Sequence, residues 1–485
     1  MATVDNHKIV NATKWSAIAE LLAKLVTPIT SMVLARLLTP EAFGVVATIT
    51  MIVSFAEIFT DAGFQKYIIQ HEFTDAKDRD ECTNVAFWSN MVLSFILWGI
   101  IAILDEPLAT LVGNPGLGHV ITIASISLPL QAFSSIQMAN YKRDLDFRTL
   151  FKARLVGVLV PLFVTIPLAI FMHSFWALVI GTIAVSVANA IVLTIWSKWK
   201  PRLYFSWRKL RDMLSFTIWS MVESISIWLT NYIDIFIVGI CLCPYYLGLY
   251  KTSMTTVAQI TTLITAATTP VLFSSLSRLQ DNREEFEHLF FRFQKLVGIL
   301  IIPLGVGIYV FRDFVTLVLL GNQWMEASAF IGLWGLTSAI TIVLAHYSSE
   351  VYRALGKPKL SVLAQVLHII VLWPVVQIAV QYGFDTLCQA RALVRLEMVL
   401  VQLIIMYVVV HVSPWKMIKN IFPATIASIV MGGAGWIMLY YHSSNLWTLL
   451  TISICLVIYL IVMSCFKQER TMFTQFISQI ANNRK

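Results

Sequence analysis

Apolar stretches of about 20 residues recur from one end of this 485-residue chain to the other, parted by short polar connections. As a helix, each stretch rises about 30 Å, the thickness of a hydrocarbon core. No water reaches the backbone there, so its N–H and C=O groups must pair within the segment, and the stretches are helices. Only 13% of the residues are charged, against roughly 25% in soluble domains, so water is not the chain's main solvent. The first stretch, Trp15 to Leu38, holds Glu20, Lys24 and Pro28, and no small-residue cleavage site follows a short apolar core. It reads as a retained span rather than a signal peptide. The six cysteines are scattered, with one C-x-C and no C-x-x-C, so neither a zinc site nor a disulfide framework is expected.

Hydropathy places spans at about 14–38, 41–62, 83–104, 119–140, 149–171, 174–197, 212–240, 244–275, 288–311, 325–350, 360–380, 384–411, 417–440 and 445–466. Fourteen is even, so the termini share a side. The N-terminus, the even-numbered connections and the C-terminal tail hold all but six of the 35 Lys and Arg residues, whereas the stretch from Asp105 to Gly118 and the turns near His173, Asp385 and His442 hold none. By the positive-inside rule both termini are cytoplasmic. Topology and anionic headgroups thus account for the net charge of +8 without nucleic acid as a partner. The six exceptions are Arg36 and Arg312, near outer ends of spans, and Lys24, Lys251, Arg391 and Arg395, within or close to apolar segments.

At an offset of 204 the chain matches itself: Thr13, Trp15 and Ser16 fall on Thr217, Trp219 and Ser220, and Pro40 and Gly44 on Pro244 and Gly248. Further on the offset drifts. Thr110-Leu111-Val112 falls on Thr316-Leu317-Val318, Gly113-Asn114 on Gly321-Asn322, and Lys142-Arg143 near Tyr352-Arg353. An even number of spans per repeat gives both repeats one orientation, related by an axis along the membrane normal. The expected architecture is all-α and polytopic, with about fourteen helices. It comprises a six-helix N-lobe (1–198), a basic linker stiffened by Pro201 that leads into a six-helix C-lobe (199–411), an additional helix pair (412–466) and a cytoplasmic tail (467–485), with a cavity between the lobes.

Spaced at 100° per residue, Thr13, Ser16, Glu20, Lys24, Thr27 and Ser31 share one face of the first helix, and Ser220, Glu223, Ser224, Asn231 and Asp234 share one face of its repeat partner, the seventh. Charge inside a bilayer is costly and by default faces water, substrate or a partner. Glu20 and Lys24, one turn apart, either neutralise each other and lock packing or line the transport cavity; Glu223 and Asp234 are cavity candidates of the same kind. Lys251, seven residues beyond Pro244, is another. Arg391 and Arg395, one turn apart, are either an interfacial anchor paired with Glu397 or an anion-coordinating pair, since guanidinium forks match phosphate oxygens. Glu57 and Asp61, near the cytoplasmic end of the second helix, are either a solvated helix end or part of an inner gate or ion-coupling site. Trp219, Trp228, Tyr232, Tyr245, Tyr246 and Tyr250 offer faces on which sugar rings stack, although interfacial belts and ordinary packing use the same residues.

The segments T-K-W-S at 13–16, V-L-A-R-L-L-T-P-E-A-F-G at 33–44 and F-T-D-A-G-F-x-x-x-I-I-Q at 59–70, with K-R-D-L-D-F at 142–147, resemble the Wzx-type polysaccharide flippases. The resemblance is close to the colanic-acid-exporter branch, within the multidrug/oligosaccharidyl-lipid/polysaccharide exporter superfamily. It extends to about residue 411. It implies translocation of an undecaprenyl-diphosphate-linked oligosaccharide from the inner to the outer leaflet by alternating access, for exopolysaccharide, capsule or O-antigen assembly. The implied partners are that glycolipid, membrane lipids and the polysaccharide polymerase machinery. It also implies a role for Lys24, Arg36 and Lys251 as cavity cations, although Ile240 stands where the second repeat would match Arg36, which breaks any symmetrical phosphate clamp.

Two other classes compete. A multidrug/cation antiporter of the same superfamily would use the acidic residues alone. A membrane-embedded polymerase or ligase would need a large outer loop or clustered catalytic groups, and neither is seen in the sequence; no enzyme activity, cofactor or metal is expected. A proton, a sodium ion or the membrane potential remain the candidate driving forces. The topology makes a direct prediction: reporter fusions after residues 115, 173, 243, 322, 383 and 443 report an external location, and fusions after 75, 147, 205, 283, 356, 416 and 475 a cytoplasmic one. Two adjacent reversals would overturn the repeat assignment.

Overall fold

The structure is a computed structural model that describes residues 6–466 except Ala62, Lys198, Asp281, Pro358 and Ser443. The side chains of residues 6–14, 16–21 and 215–220 and of Asp61, Val222 and Glu223 are outside the description, as is the tail at 467–485. All described secondary structure is helical. The helices are α1 (Asn6–Leu37), α2 (Pro40–Asp61), α3 (Phe64–Gln70), α4 (Ala76–Ile103), α5 (Asp105–Leu111), α6 (Gly118–Ala124), α7 (Ser127–Arg143), α8 (Phe147–Val160), α9 (Ile166–Met172), α10 (Trp176–Trp196), α11 (Trp207–Cys241), α12 (Pro244–Ser277), α13 (Arg283–Val310), α14 (Arg312–Leu319), α15 (Ser328–Thr341), α16 (Tyr347–Ala354), α17 (Lys359–Ala379), α18 (Phe384–Val408), α19 (Pro414–Tyr441) and α20 (Asn445–Cys465). Single π turns at Pro161–Thr165 and Ile342–His346 join α8 to α9 and α15 to α16.

Among the described residues, twelve helical segments are long and apolar enough to cross a membrane. The chain is a multi-pass membrane protein. The sequence reading counted fourteen spans, and the difference is one of charge and description. Every 18-residue window of α18 holds at least three of Asp385, Arg391, Arg395 and Glu397, and α1 carries side chains outside the described set. Short polar side chains start several helices: Asp75 accepts from the Asp78 N–H at 2.6 Å, Asp146 from the Thr149 N–H at 3.2 Å and Asn282 from the Glu285 N–H at 3.3 Å. Each such cap satisfies one of the otherwise unpaired first-turn donors.

Packing divides the chain into two compact units, Met1–Lys251 and Thr252–Lys485. In the first, α11 packs on α2, α3 and α4, and α1 on α8 and α9. The basic linker is held to the same unit: the Asn84 side-chain oxygen accepts from the Arg202 N–H at 2.6 Å, and the Trp88 indole donates to the Arg202 carbonyl at 2.8 Å. Lys209 then bridges Asp78 at 2.7 Å and Glu81 at 2.8 Å. Partial burial works against the Lys209 charge, yet its hydrogen bonds to the two carboxylates outweigh that effect and hold the ammonium above the ordinary lysine range. In the second unit α13 packs on α15 and α19, α17 on α18, and α19 on α20. The additional helix pair thus belongs to this unit's core, where Met417, Ala427, Cys455 and Met463 join Val297, Ile301 and Tyr352.

The internal repeat recurs as local geometry. After Tyr141 the chain closes α7 with Asp144 N–H to Asn140, Leu145 N–H to Lys142 and Asp146 N–H to Tyr141, with Leu145 at φ 57°. At an offset of 211, Leu355, Gly356 and Lys357 make the same three bonds to Val351, Arg353 and Tyr352, with Gly356 at φ 68°. The pattern is a left-handed helix C-cap. At the shorter offset of 204 the repeat yields a reciprocal contact within the first unit. A Cβ on Gly44 would overlap the Pro244 carbonyl oxygen, and a Cβ on Gly248 would overlap the Pro40 carbonyl oxygen. The first turns of α2 and α12 therefore cross backbone to backbone, which only residues without side chains permit. This is the end expected to face outside.

Gly44→Val or Gly248→Val should pry these first turns apart. With Cys241 and Cys243 replaced by Ser, a Leu38→Cys reporter, 1% exposed in the native chain, should then label several-fold faster with a membrane-impermeant maleimide in intact cells. Labelling unchanged from the parent would show that the glycines do not hold this end shut.

Candidate functional site

The first unit gathers a polar and aromatic set on α11, α2 and the start of α12. Asp234, 1% exposed, accepts from the Tyr250 hydroxyl at 2.9 Å and from the Ile235 N–H at 2.8 Å. A carboxylate inside a membrane protein needs such donors to offset its desolvation. Lys251 is half-buried, with its ammonium 5.3 Å from the Tyr232 ring centroid and within electrostatic range of Asp234. Tyr232 stacks on Trp228 at 5.2 Å, Trp228 packs on Phe55 at 4.8 Å, and Phe55 meets Phe59 edge-on at 5.4 Å. The Trp228 indole donates to Ser54 at 3.0 Å, tying α11 to α2. The result is a ladder of rings that ends in a cation.

Sequence reading placed Asp234, Lys251, Trp228, Tyr232 and Tyr250 among the candidates, and the structure brings these five together. It also separates their roles. Tyr250 is fully buried and holds Asp234, so neither presents a surface, whereas Trp228, Tyr232 and Lys251 are partly open. Tyr245 and Tyr246 pack edge-on against each other at 5.4 Å. Asn231 is exposed on α11. Lys24 is half-buried and Arg36 exposed, both on α1, which packs on α8 and α9. The side chains of Glu20, Glu223, Asp61 and Trp219 lie outside the described residues.

The Glu57 carboxylate accepts from Gln131 at 2.6 Å on the wall of a cavity of about 350 Å³ between α2, α3, α7 and α10. The Lys142 ammonium, on the same wall, donates to Gln65 at 3.1 Å. Gln131 was missed by sequence reading, although Gln131, Ser134, Ser135 and Met138 recur at helical spacing and mark the face that α7 turns to this cavity.

The second unit holds the arginine pair. Arg391 and Arg395 both lie over the Trp334 ring, at 5.0 and 4.0 Å, and Arg395 donates to Ser338 at 2.5 Å. Glu397 is hydrogen-bonded to His368 on α17 at 2.8 Å. Arg391 is only 7% exposed, packed within the unit and not spread over its surface. Trp334 and His368 were not read from the sequence, because their partners lie on another helix, α18, and a single-helix pattern does not show which helix packs there.

Residues 33–329 match the model of the polysaccharide biosynthesis protein family. The chain belongs to that family. Among its relatives is the succinoglycan biosynthesis transport protein ExoT of Rhizobium meliloti, 23% identical over 340 residues, covering 70% of this chain and 68% of the relative. Another is the lipopolysaccharide biosynthesis protein WzxC of Escherichia coli, 23% identical over 325 residues, covering 66% and 64%. Among solved structures, the lipid II flippase MurJ in an inward closed conformation matches with a TM-score of 0.75 and 14% identity, over 94% of this chain and 99% of that one; the fold is therefore shared. The resemblance carried by the motifs at 33–44 and 59–70 holds.

Burial makes Asp234 a positioning residue. Asp234→Ala removes the acceptor of two buried donors and should destabilise the protein by about 2–3 kcal/mol, whereas Asp234→Asn, which keeps an accepting oxygen, should lose about 1 kcal/mol. Thermal unfolding of the purified protein in detergent checks the order. Equal midpoints for the two variants would remove the hydrogen bonds from the explanation.

Proposed function

We propose that this protein flips an undecaprenyl-diphosphate-linked oligosaccharide from the cytoplasmic to the outer leaflet of the bacterial inner membrane, with both termini in the cytoplasm. The substrate serves surface polysaccharide assembly. The observation that carries the reading is the ring ladder Phe59–Phe55–Trp228–Tyr232, which ends at the Lys251 ammonium. A lipid-linked sugar presents two chemistries to a protein. Its sugar rings have apolar faces that stack on aromatic side chains, and its diphosphate is an anion that a lysine or arginine attracts. A drug antiporter needs no such cation. The names of ExoT and WzxC place those relatives in succinoglycan transport and in lipopolysaccharide biosynthesis, and the name of MurJ makes it a flippase of lipid II. Both accord with this reading, and with transport rather than catalysis.

The steps follow from charge. The diphosphate moves with Lys24 and Lys251 as its counter-ions, while the close crossing of the first turns of α2 and α12 shuts one end of the path. A membrane potential negative inside favours outward movement of an anion by roughly 2.3 kcal/mol per uncompensated charge per 100 mV. Transport can then proceed without nucleotide hydrolysis. Release outside hands the glycolipid to a polymerase.

In a strain lacking its own flippase, Lys24→Ala and Lys251→Ala should each abolish surface polysaccharide and leave lipid-linked oligosaccharide on the cytoplasmic leaflet, with normal protein level. Lys24→Arg should retain part of the activity. Full activity of a double variant, Glu20→Gln with Lys24→Gln, would show that Lys24 serves packing alone and would sink its role as a substrate contact.

A further inference from the structure

Ionisable side chains in the middle of apolar helices need a reason, and one such pair is not used by the mechanism above. His368 lies midway along α17 and Glu397 midway along α18. The His368 Nδ1 and the Glu397 carboxylate are 2.8 Å apart, His368 is 7% exposed, and the Glu397 side chain is 24% exposed. We propose that His368 and Glu397 form a proton-binding site that couples leaflet exchange to the proton gradient; the inference rests on the flippase reading.

The surroundings support both states of such a site. With the imidazole protonated, the pair is neutral overall; with it deprotonated, the pair carries one negative charge. On the same helix, Arg391 and Arg395 are held over Trp334 at 5.0 and 4.0 Å, with Arg395 also bonded to Ser338. Two fixed cations make the negative state tolerable inside the membrane, and the 2.8 Å hydrogen bond makes the neutral state tolerable. The other charged groups on neighbouring elements are engaged elsewhere or remote in register. On α16, Glu350 pairs with Arg353 at 3.0 Å. In the π turn, His346 is 3.4 Å from Thr269. No charged residue lies on α15, and Lys416 and Lys419 lie in the first two turns of α19.

The chemistry favours a proton over a metal cation. Sodium and other hard cations take several oxygen ligands, whereas here an imidazole nitrogen occupies the carboxylate. Pro374, less than two turns beyond His368, removes one rung of the α17 ladder and gives the helix a place to bend as the pair changes charge. A potential that is negative inside drives anions outward and protons inward. An exchange in which this pair carries one proton inward while the diphosphate leaves would use the potential in both half-cycles.

The test uses the full-length protein in vesicles of phosphatidylethanolamine and phosphatidylglycerol, with a fluorescent undecaprenyl-diphosphate N-acetylglucosamine as probe and dithionite quenching to read its leaflet. One coupled proton should shift the steady-state leaflet ratio about tenfold per unit of imposed pH difference. His368→Gln and Glu397→Gln, which keep a hydrogen bond, should still equilibrate the probe without a gradient, at a ratio near one whatever the pH difference. A wild-type protein that flips the probe but ignores the gradient would overturn the coupling, as would variants that still respond. If the wild-type protein does not move the probe at all, the flippase reading fails. The proton site is then judged by tryptophan fluorescence of the same vesicles without probe. A transition between about pH 5 and 8 that is present in the wild type and lost in both variants supports it, and one that persists in them overturns it.

Discussion

The absence of water from the hydrocarbon core governs everything else in this molecule. Each span must satisfy its own backbone, which makes all the described secondary structure helical. The same absence makes each polar side chain in a span a matter for explanation. Asp234 has its two donors, Glu57 its glutamine and Glu397 its histidine. The few charges kept in the membrane are therefore the features most informative about function.

Helix association in lipid lacks the hydrophobic drive available in water, so close packing and hydrogen bonds between helices matter more. The first unit shows both. The first turns of α2 and α12 meet through Gly44 and Gly248 at the distance of bare backbones, and deeper in the membrane α2 meets α11 through the Ser54–Trp228 hydrogen bond and the Phe55–Trp228 ring contact. α2 is thus held at its first turn by glycine and further along by rings. The rings are also what a sugar would stack on, so contacts that hold the resting structure are the ones a substrate would compete for.

Basic residues divide into two groups. Many of those in the connections satisfy local partners: Arg79 pairs with Asp144 at 2.8 Å, Lys209 with Asp78 and Glu81, and Arg143 donates to the carbonyls of Ile68 and His71 that end α3. These bonds fix loop shape on one side of the membrane. Lys251, Arg391 and Arg395 lie against aromatic rings instead, a setting in which a desolvated cation retains an attractive partner.

The sequence by itself determined the class of the protein, because span length and loop charge are local and need no knowledge of neighbours. Its repeat aligned Gly44 with Gly248 and Lys142-Arg143 with Tyr352-Arg353, and the structure shows what lies at those matches: a close backbone crossing at the first, and beside the second a pair of left-handed helix caps, at Leu145 and Gly356. The cavity candidates on α11 and α12 were legible as charge placed where charge is costly. What only the tertiary structure decided was the partner of each. Asp234 proved to be occupied by Tyr250, Glu57 by Gln131 across 74 positions of sequence, and Glu397 by His368 rather than by the arginines beside it. Helical periodicity says which way a residue faces on its own helix, and the partner is set by which other helix packs there, a choice that depends on the shapes of both surfaces at once.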